Sequence, residues 1–283
     1  MNASVLQERD YADIHLKRSI RTVTKRKREW LNNVFANQER IKNDLSLLWL
    51  DKDYPEVISV AAGPSLADDL PRLRELRDGR ELICVDAALR FLVDHGIVPD
   101  YVLSSDASAK ILEMFKPVDL PALKNTKLIL NVIAYPDLAR LWPGEVYWFV
   151  MANQFYDLDH KEMIQTMHSA VARIGTKLVP GGNVSSIALG FSLSIRNADK
   201  VYLFGHDFCW KKDMYCGGHL KHLAAERMAD ESRAGTVFEA INARGERVMT
   251  NLSLKEFANW HNDVIASARH RVVNCTSSTI LNS

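Results

Sequence analysis

Residues Val57–Leu66 read VISVAAGPSL: a short apolar run that ends in Gly63-Pro64 and hands over to a leucine. An apolar run of this length closed by glycine and proline predicts a buried strand entering a tight turn. Ser65 stands where a helix N-cap belongs, and Leu66–Leu76 reads as the helix that follows. Strand, turn, helix is the first half of a βαβ unit, and the chain repeats it. Leu82–Val85 is a second apolar run, followed by the helical AALRFLVDHG. Gly96 stops that helix, and Pro99 precedes a third strand at Tyr101–Leu103. Lys127–Ile133 and Val146–Val150 are further strands. Pro180-Gly181-Gly182-Asn183 opens a helix running through Ser194, and Val201–Phe204 is the last clear strand. Short strands alternating with helices indicate an α/β fold: a Rossmann-like, mostly parallel sheet flanked by helices. It occupies residues 51–230, with 231–283 as a C-terminal segment completing the same domain.

Residues 1–50 have another texture. They contain no glycine or proline, and Trp30, Val34, Ile41, Leu45 and Leu48 recur at helical spacing. This is an N-terminal helical extension of one or two amphipathic helices, available for packing on the core or for oligomer formation. Its basic cluster, Lys25-Arg26-Lys27-Arg28, reads either as a contact to phosphate or anionic lipid or as a solvated helix face, the commoner fate of such a run.

Composition bounds the function class. At 283 residues, 47% hydrophobic and 25% charged, the chain can bury a core without staples. A net charge of +1 gives no global case for nucleic acid or membrane binding. Cys84, Cys209, Cys216 and Cys275 are scattered and suggest no disulfide framework. The polar start, MNASVLQERDYADIHLKR, is no signal peptide, and no apolar run approaches the ~20 residues that cross a bilayer. A cytoplasmic protein is expected.

In parallel sheets the ligand lies outside the carboxyl ends of the strands, where helix N-termini point free N–H groups. That rule selects residues without family knowledge. Gly63, Pro64 and Ser65 follow the first strand, Asp86 the second, and Ser104, Ser105 and Asp106 the third. Asn131, Asn153, Gly181-Gly182-Asn183 with Ser185 and Ser186, and Gly205-His206-Asp207 follow further along. Gly63 admits close backbone approach or a positive φ, and a GPS turn can offer amides to phosphate. Neither G-x-G-x-x-G nor a Walker loop is present. Asp86 and Asp106 suit a ribose or a divalent metal, and Asp86 equally suits a helix cap. Cys209, Cys216, His219 and His222 have no standard zinc spacing, so no metal site is assigned. His219, after Gly217-Gly218, is the best candidate for general acid–base work; His206 and His222 are weaker.

Three segments in fixed order carry a family resemblance: AAGPSL, VDAALRFLVDHGIVPDYVLSSDAS and GGNVSSIALGFSLSIRNADKVYLFGHDF. Over roughly residues 20–283 the chain resembles the DUF115 (MptE-like) family, which includes the Maf motility-associated factors and archaeal 6-hydroxymethylpterin diphosphokinases. The tail, VMTNLSLKEFANWHNDVI then VVNCTSSTIL, is similar to the closing segment of Maf proteins. The motifs are also similar to bacterial sialyltransferases of glycosyltransferase family 42. The resemblance implies a glycosyltransferase that moves a nonulosonic-acid-like sugar from a CMP-sugar to an acceptor hydroxyl on a protein or glycan, with no cofactor required. Gly63, Pro64 and Ser65 would line the nucleotide, with Asp86 and Asp106 as polar strand-end residues. Gly182 and Asn183 lie in the second glycine turn, and Ser185 or Ser186 would meet the cytidine or phosphate. Asp207 would form the site floor and His219 would be the base. Two departures matter. The first glycine of G-x-G-P-S-L is Ala61 here, and the aspartate-rich pair of the diphosphokinase branch is reduced to Asp106. The alternatives implied are an Mg²⁺-dependent pterin diphosphokinase using ATP, and a non-catalytic nucleotide-binding module.

Overall fold

The VISV run forms the strand β2 (Glu56–Val60) at the middle of the sheet, and everything else is arranged around it. The computed structural model describes residues 26–42, 44–47, 50, 56–116, 118–151, 177–179 and 181–282. On one side of β2 lie, in order, β3 (Glu81–Val85), β4 (Tyr101–Ser104), β5 (Lys127–Asn131) and β6 (Val146–Met151). On the other side lie β8 (Lys200–Phe204) and then β11 (Val272–Asn274). Two-residue strands, β1 (Leu45–Ser46) and β7 (Lys177–Leu178), both pair with β6. Every pairing in this sheet is parallel. A sheet covered on both faces asks for continuous apolar strands rather than alternating ones, and β3 (ELICV) and β4 (YVLS) are buried at every position.

The sequence-predicted elements are present with small shifts. The helix after the glycine turn is Leu66–Arg77, the next is Asp86–Asp94, and β5 stops at Asn131, two residues short of expectation. The helix at Val184 ends at Gly190 and continues as a π-helical segment, Phe191–Ile195, that packs under β4: Phe191 meets the Tyr101 ring at 5.5 Å. The C-terminal segment contains a hairpin that sequence reading did not resolve, β9 (Val237–Ile241) against β10 (Arg247–Asn251). Asn251 then caps the helix Leu252–Ser267, accepting from the Leu254 amide at 2.8 Å. β11 closes the main sheet, so this segment is built into the same core.

The N-terminal extension forms a helix over residues 26–42. Trp30, Val34 and Ile41 are buried, as their spacing predicts; Leu48, Lys25 and residues 1–24 lie outside the described residues, as does the side chain of Leu45. The strongest attachment is polar. Asn33 Nδ2 donates to the carbonyls of Ala107 and Ile133, both at 2.9 Å, and Asn37 Nδ2 to those of Val132 (3.1 Å) and Ala134 (2.9 Å). These carbonyls belong to the loops leaving β4 and β5, so the helix is fastened over the carboxyl ends of the strands. Among the described residues, no helix is long and apolar enough to cross a membrane.

Candidate functional site

The connections out of β2 and β8 run to opposite sides of the sheet, which puts the topological switch point between these two strands. The two strand ends interlock there. Gly63 N donates to the carbonyl of Gly205 (2.8 Å), and a Cβ on Gly63 would overlap both that oxygen and Asp207 Oδ1. Ser65 donates twice to Asp207, from its amide to Oδ2 and from its hydroxyl to Oδ1, each at 2.8 Å. Leu66 N returns to the carbonyl of Gly63 at 3.2 Å. Two expectations are corrected. Ser65 does not cap its helix: its backbone is already helical and its hydroxyl faces Asp207. The amides of Gly63, Ser65 and Leu66 are bonded inside the protein, and Pro64 has none, so this turn is no amide cradle for phosphate. Glycine is required at 63 by the approach of Asp207 and Gly205, with no positive φ there.

Asp207 is 1% exposed, and burial pushes its carboxyl up to about 8, against the two bonds from Ser65 and with further upward pressure from Asp69 and Asp68. It is thus largely protonated near neutral pH and holds the turn as a neutral acid. His206, also 1% exposed, lies 3.4 Å from Ser59 Oγ, and burial, with His261 beside it, holds it well below the usual histidine range. Phe208 takes φ +57°, an uncommon strained value for a bulky residue. Thr250 fixes it by donating to its carbonyl at 2.8 Å.

The second glycine turn is held from within as well. Asn183 Oδ1 accepts from the Ser186 amide (3.0 Å) and the Ser185 hydroxyl (3.1 Å). Ser186 Oγ donates to the Asn183 carbonyl (2.6 Å) and accepts from Gly181 N (2.7 Å). Gly182 has φ +98°, and a Cβ there would strike the Phe257 ring, while one on Gly181 would strike Trp260. Asp86 begins its helix, accepting from the Ala87 amide (2.8 Å) and the Ser104 hydroxyl (2.7 Å). Burial raises it to about 6, the Ser104 bond opposing and the Asp106 charge adding a little. Asp106 is half-exposed, accepts from Ser108 N at 2.8 Å and pairs with Arg26 at 3.6 Å.

These strand ends surround one cavity of about 440 Å³, within the range of small-molecule sites. Gly63, Pro64, Asp86, Asp106, Gly182, Asn183, Ser185 and Asp207 all line it; Ser65, Ser186 and His219 do not. Ser65 and Ser186 hold the turns from behind. Asn131 lies under the loop, accepting from Ile133 N at 3.3 Å, and Asn153 lies outside the described residues. His219 sits in a short turn, Gly218–Leu220, its Nε2 buried without a hydrogen-bond partner among the described residues. Burial, and the nearby Arg90, lower its pKa. Trp30, read from sequence as a packing residue, Arg26, read as part of a basic cluster, and Tyr215, Arg227 and Phe257, which sequence reasoning missed, complete the walls. The first two were detectable: positions 26, 30, 33, 34, 37 and 41 share one helix face. Nothing in the sequence marked Arg227.

As a magnesium site the donors fit poorly. Both Asp86 oxygens are hydrogen-bonded and buried, Asp106 is tied to Arg26, and the described residues hold no group of three or more metal-ligating side chains.

Comparison with known proteins agrees with this architecture. The family described as 6-hydroxymethylpterin diphosphokinase MptE-like matches residues 28–213. Among solved structures, that of a Maf glycosyltransferase from Magnetospirillum magneticum AMB-1 superposes with a TM-score of 0.63 at 16% identity. The match covers 89% of this chain and 37% of that one, so this chain spans little more than a third of its neighbour. At that identity the likeness shows the fold alone. No curated protein matches the sequence.

Proposed function

This chain belongs to the 6-hydroxymethylpterin diphosphokinase MptE-like family, and on that premise we propose that it is a glycosyltransferase of the Maf and sialyltransferase-like type, using a CMP-activated nonulosonic-acid-like donor. The observation that carries the reading is convergence: Gly63-Pro64, Asp86, Asp106, Gly182-Asn183, Ser185 and Asp207 come from five separated strand ends and line one nucleotide-sized cavity. The structural likeness to a glycosyltransferase supports the same direction at the level of fold.

In the proposed reaction the bond from the anomeric carbon to the phosphate oxygen breaks and CMP leaves with the electron pair. The acceptor oxygen bonds to the anomeric carbon and gives its proton to a base. Two residues are candidates for that base. Asp86 lines the cavity, and its pKa of about 6 leaves it mostly ionised yet basic enough to take a proton at neutral pH. His219, its pKa lowered by burial, has an Nε2 without a hydrogen-bond partner among the described residues, but it must swing in from its turn after Gly217-Gly218.

The diphosphokinase reading is favoured by the family description, and the poor fit of Asp86 and Asp106 to magnesium weighs against it. One assay separates them. Release of CMP from a panel of CMP-nonulosonates, lost in Asp86→Asn or His219→Ala, supports the transferase and identifies the base. Magnesium-dependent AMP formation from ATP and hydroxymethylpterin, with no CMP release, replaces it by the second reading. Cytidine nucleotide binding without turnover of either kind leaves a binding module.

A further inference from the structure

We infer that the mouth of this cavity holds an anion subsite built by Arg26 and Arg227, which takes a carboxylate or phosphoryl group carried by the ligand beyond its nucleoside monophosphate. The inference rests on the nucleotide reading above for the rest of its ligand, but its residues are independent of the family. The matched span, 28–213, contains neither arginine.

An anion entering this cavity needs positive potential, and the glycine turn supplies little, because its amides are bonded to Gly205, Asp207 and Gly63. His206 is neutral. Arg26 and Arg227 are the cationic side chains that line the cavity among the described residues. Guanidinium groups bind carboxylate and phosphoryl oxygens in paired geometry, which a lysine cannot match.

Both arginines are held by anchored helices. Arg26 lies on the helix that Asn33 and Asn37 fasten to four loop carbonyls, and Trp30, 9% exposed, continues its face into the cavity wall. Arg227 projects from the helix Lys221–Arg233 and donates to the Tyr215 hydroxyl at 3.0 Å. That helix is tied to the loop after β4 by Lys110–Glu226 (3.1 Å) and by Glu113–His222 (2.8 Å). Arg26 reaches the same loop through Asp106. The two arginines therefore line one cavity from two different helices.

The Arg26–Asp106 pair is long, at 3.6 Å, and both side chains are 44% exposed. Such a pair contributes little by itself and is easily exchanged. A ligand carboxylate or phosphoryl group in the cavity would take over Arg26 from Asp106.

Calorimetric titration of the full chain tests this with CMP, CDP and CMP-N-acetylneuraminate. CDP adds a phosphoryl group to CMP, and the sugar nucleotide adds a carboxylate, so the arms distinguish the sources. The wild type is expected to prefer one of them over CMP. Arg26→Ala and Arg227→Ala should each cut that preference about tenfold, the scale of a lost charged hydrogen bond, while CMP itself changes little. Arg28→Ala, which removes the same charge from the exposed side of the same helix, should leave the preference intact. Unchanged preference in both cavity variants, with CMP still bound, overturns the subsite. If the wild type binds no cytidine nucleotide, the reading of the function falls, and pyrophosphate then decides the subsite alone: binding lost in Arg26→Ala keeps it, and no binding overturns it. Thermal unfolding of each variant, together with Arg26→Lys, which keeps the charge and loses the fork, guards against mistaking a damaged fold for a damaged site.

Discussion

The floor and the mouth of the cavity are built on opposite principles. At the floor, Gly63, Ser65, Gly205 and Asp207 are locked by bonds of about the ideal length, and Ser65 and Asp207 are buried, with a carboxyl that burial keeps protonated. At the mouth, Arg26 and Asp106 are half in solvent and loosely paired. A polar group that is buried and fully bonded cannot turn to a ligand without leaving its partner unsatisfied, which costs more than the new bond returns. A half-exposed ion pair can. The floor therefore fixes shape, and the mouth is where ligand charge can be read.

The floor should be the less tolerant of the two. Gly63→Ala forces a methyl group into Asp207 and the Gly205 carbonyl, neither of which has room to retreat, since Gly205 has φ +68° and packs in turn on the Ala61 carbonyl. The expected loss is about 3 kcal/mol or more, seen in denaturant unfolding as a lower midpoint. A near-neutral result would mean the interlock is soft, and the contrast with the mouth would disappear.

The sheet was legible because its signals are local. A buried parallel strand is an apolar run, and its end is a glycine, an aspartate or an asparagine, so β2 to β6 and β8 could be read to within two residues. The cavity was legible as a set of strand ends for the same reason. What each polar residue does there was not. Ser65 has the residue type and position of an N-cap, yet an acid 142 positions away takes its hydroxyl. That pairing is long-range and leaves no trace in spacing. His219 follows two glycines, as a mobile base would, but tertiary packing turns it out of the lining. Arg26 reads as part of a charge run, although Trp30, Val34 and Ile41, with the buried asparagines at 33 and 37, put it on the inward face of the helix.

Those asparagines connect the two regions, and cutting them should give an intermediate effect. Asn37→Ala removes the donor to the carbonyls of Val132 and Ala134 and opens a gap where a 1%-exposed side chain had been. A destabilisation of about 1–3 kcal/mol is expected. The sharper readout is ligand binding. If the helix positions Arg26, the variant should lose affinity for the more anionic ligand before it loses CMP. Equal loss of both would place the helix on the structural side of the contrast.

The smallest effect, and the most diagnostic of the floor, is in the pH dependence of Asp207→Asn. The folded carboxyl titrates at about 8, raised by burial from the ordinary aspartate value of 3.8, so between these limits the folded chain holds a proton that the unfolded chain has released. Stability from this group is complete below the unfolded pKa and is lost as the pH rises through the folded one. Asp86, raised to about 6, acts in the same sense but has finished titrating below that range. His206 and His261, both lowered by burial, act oppositely, and their penalty is confined to acid pH, as the unfolded histidines take up protons. The wild-type melting temperature should therefore fall between about pH 6.5 and about pH 8.5. Asparagine resembles the protonated acid in shape, can still accept from the Ser65 amide and has no carboxylate to release in the unfolded chain, so the variant should be at least as stable as wild type at the lower pH and flatter across the interval. A slope that the substitution leaves unchanged would mean that Asp207 is ionised in the fold, and that the floor carries charge after all.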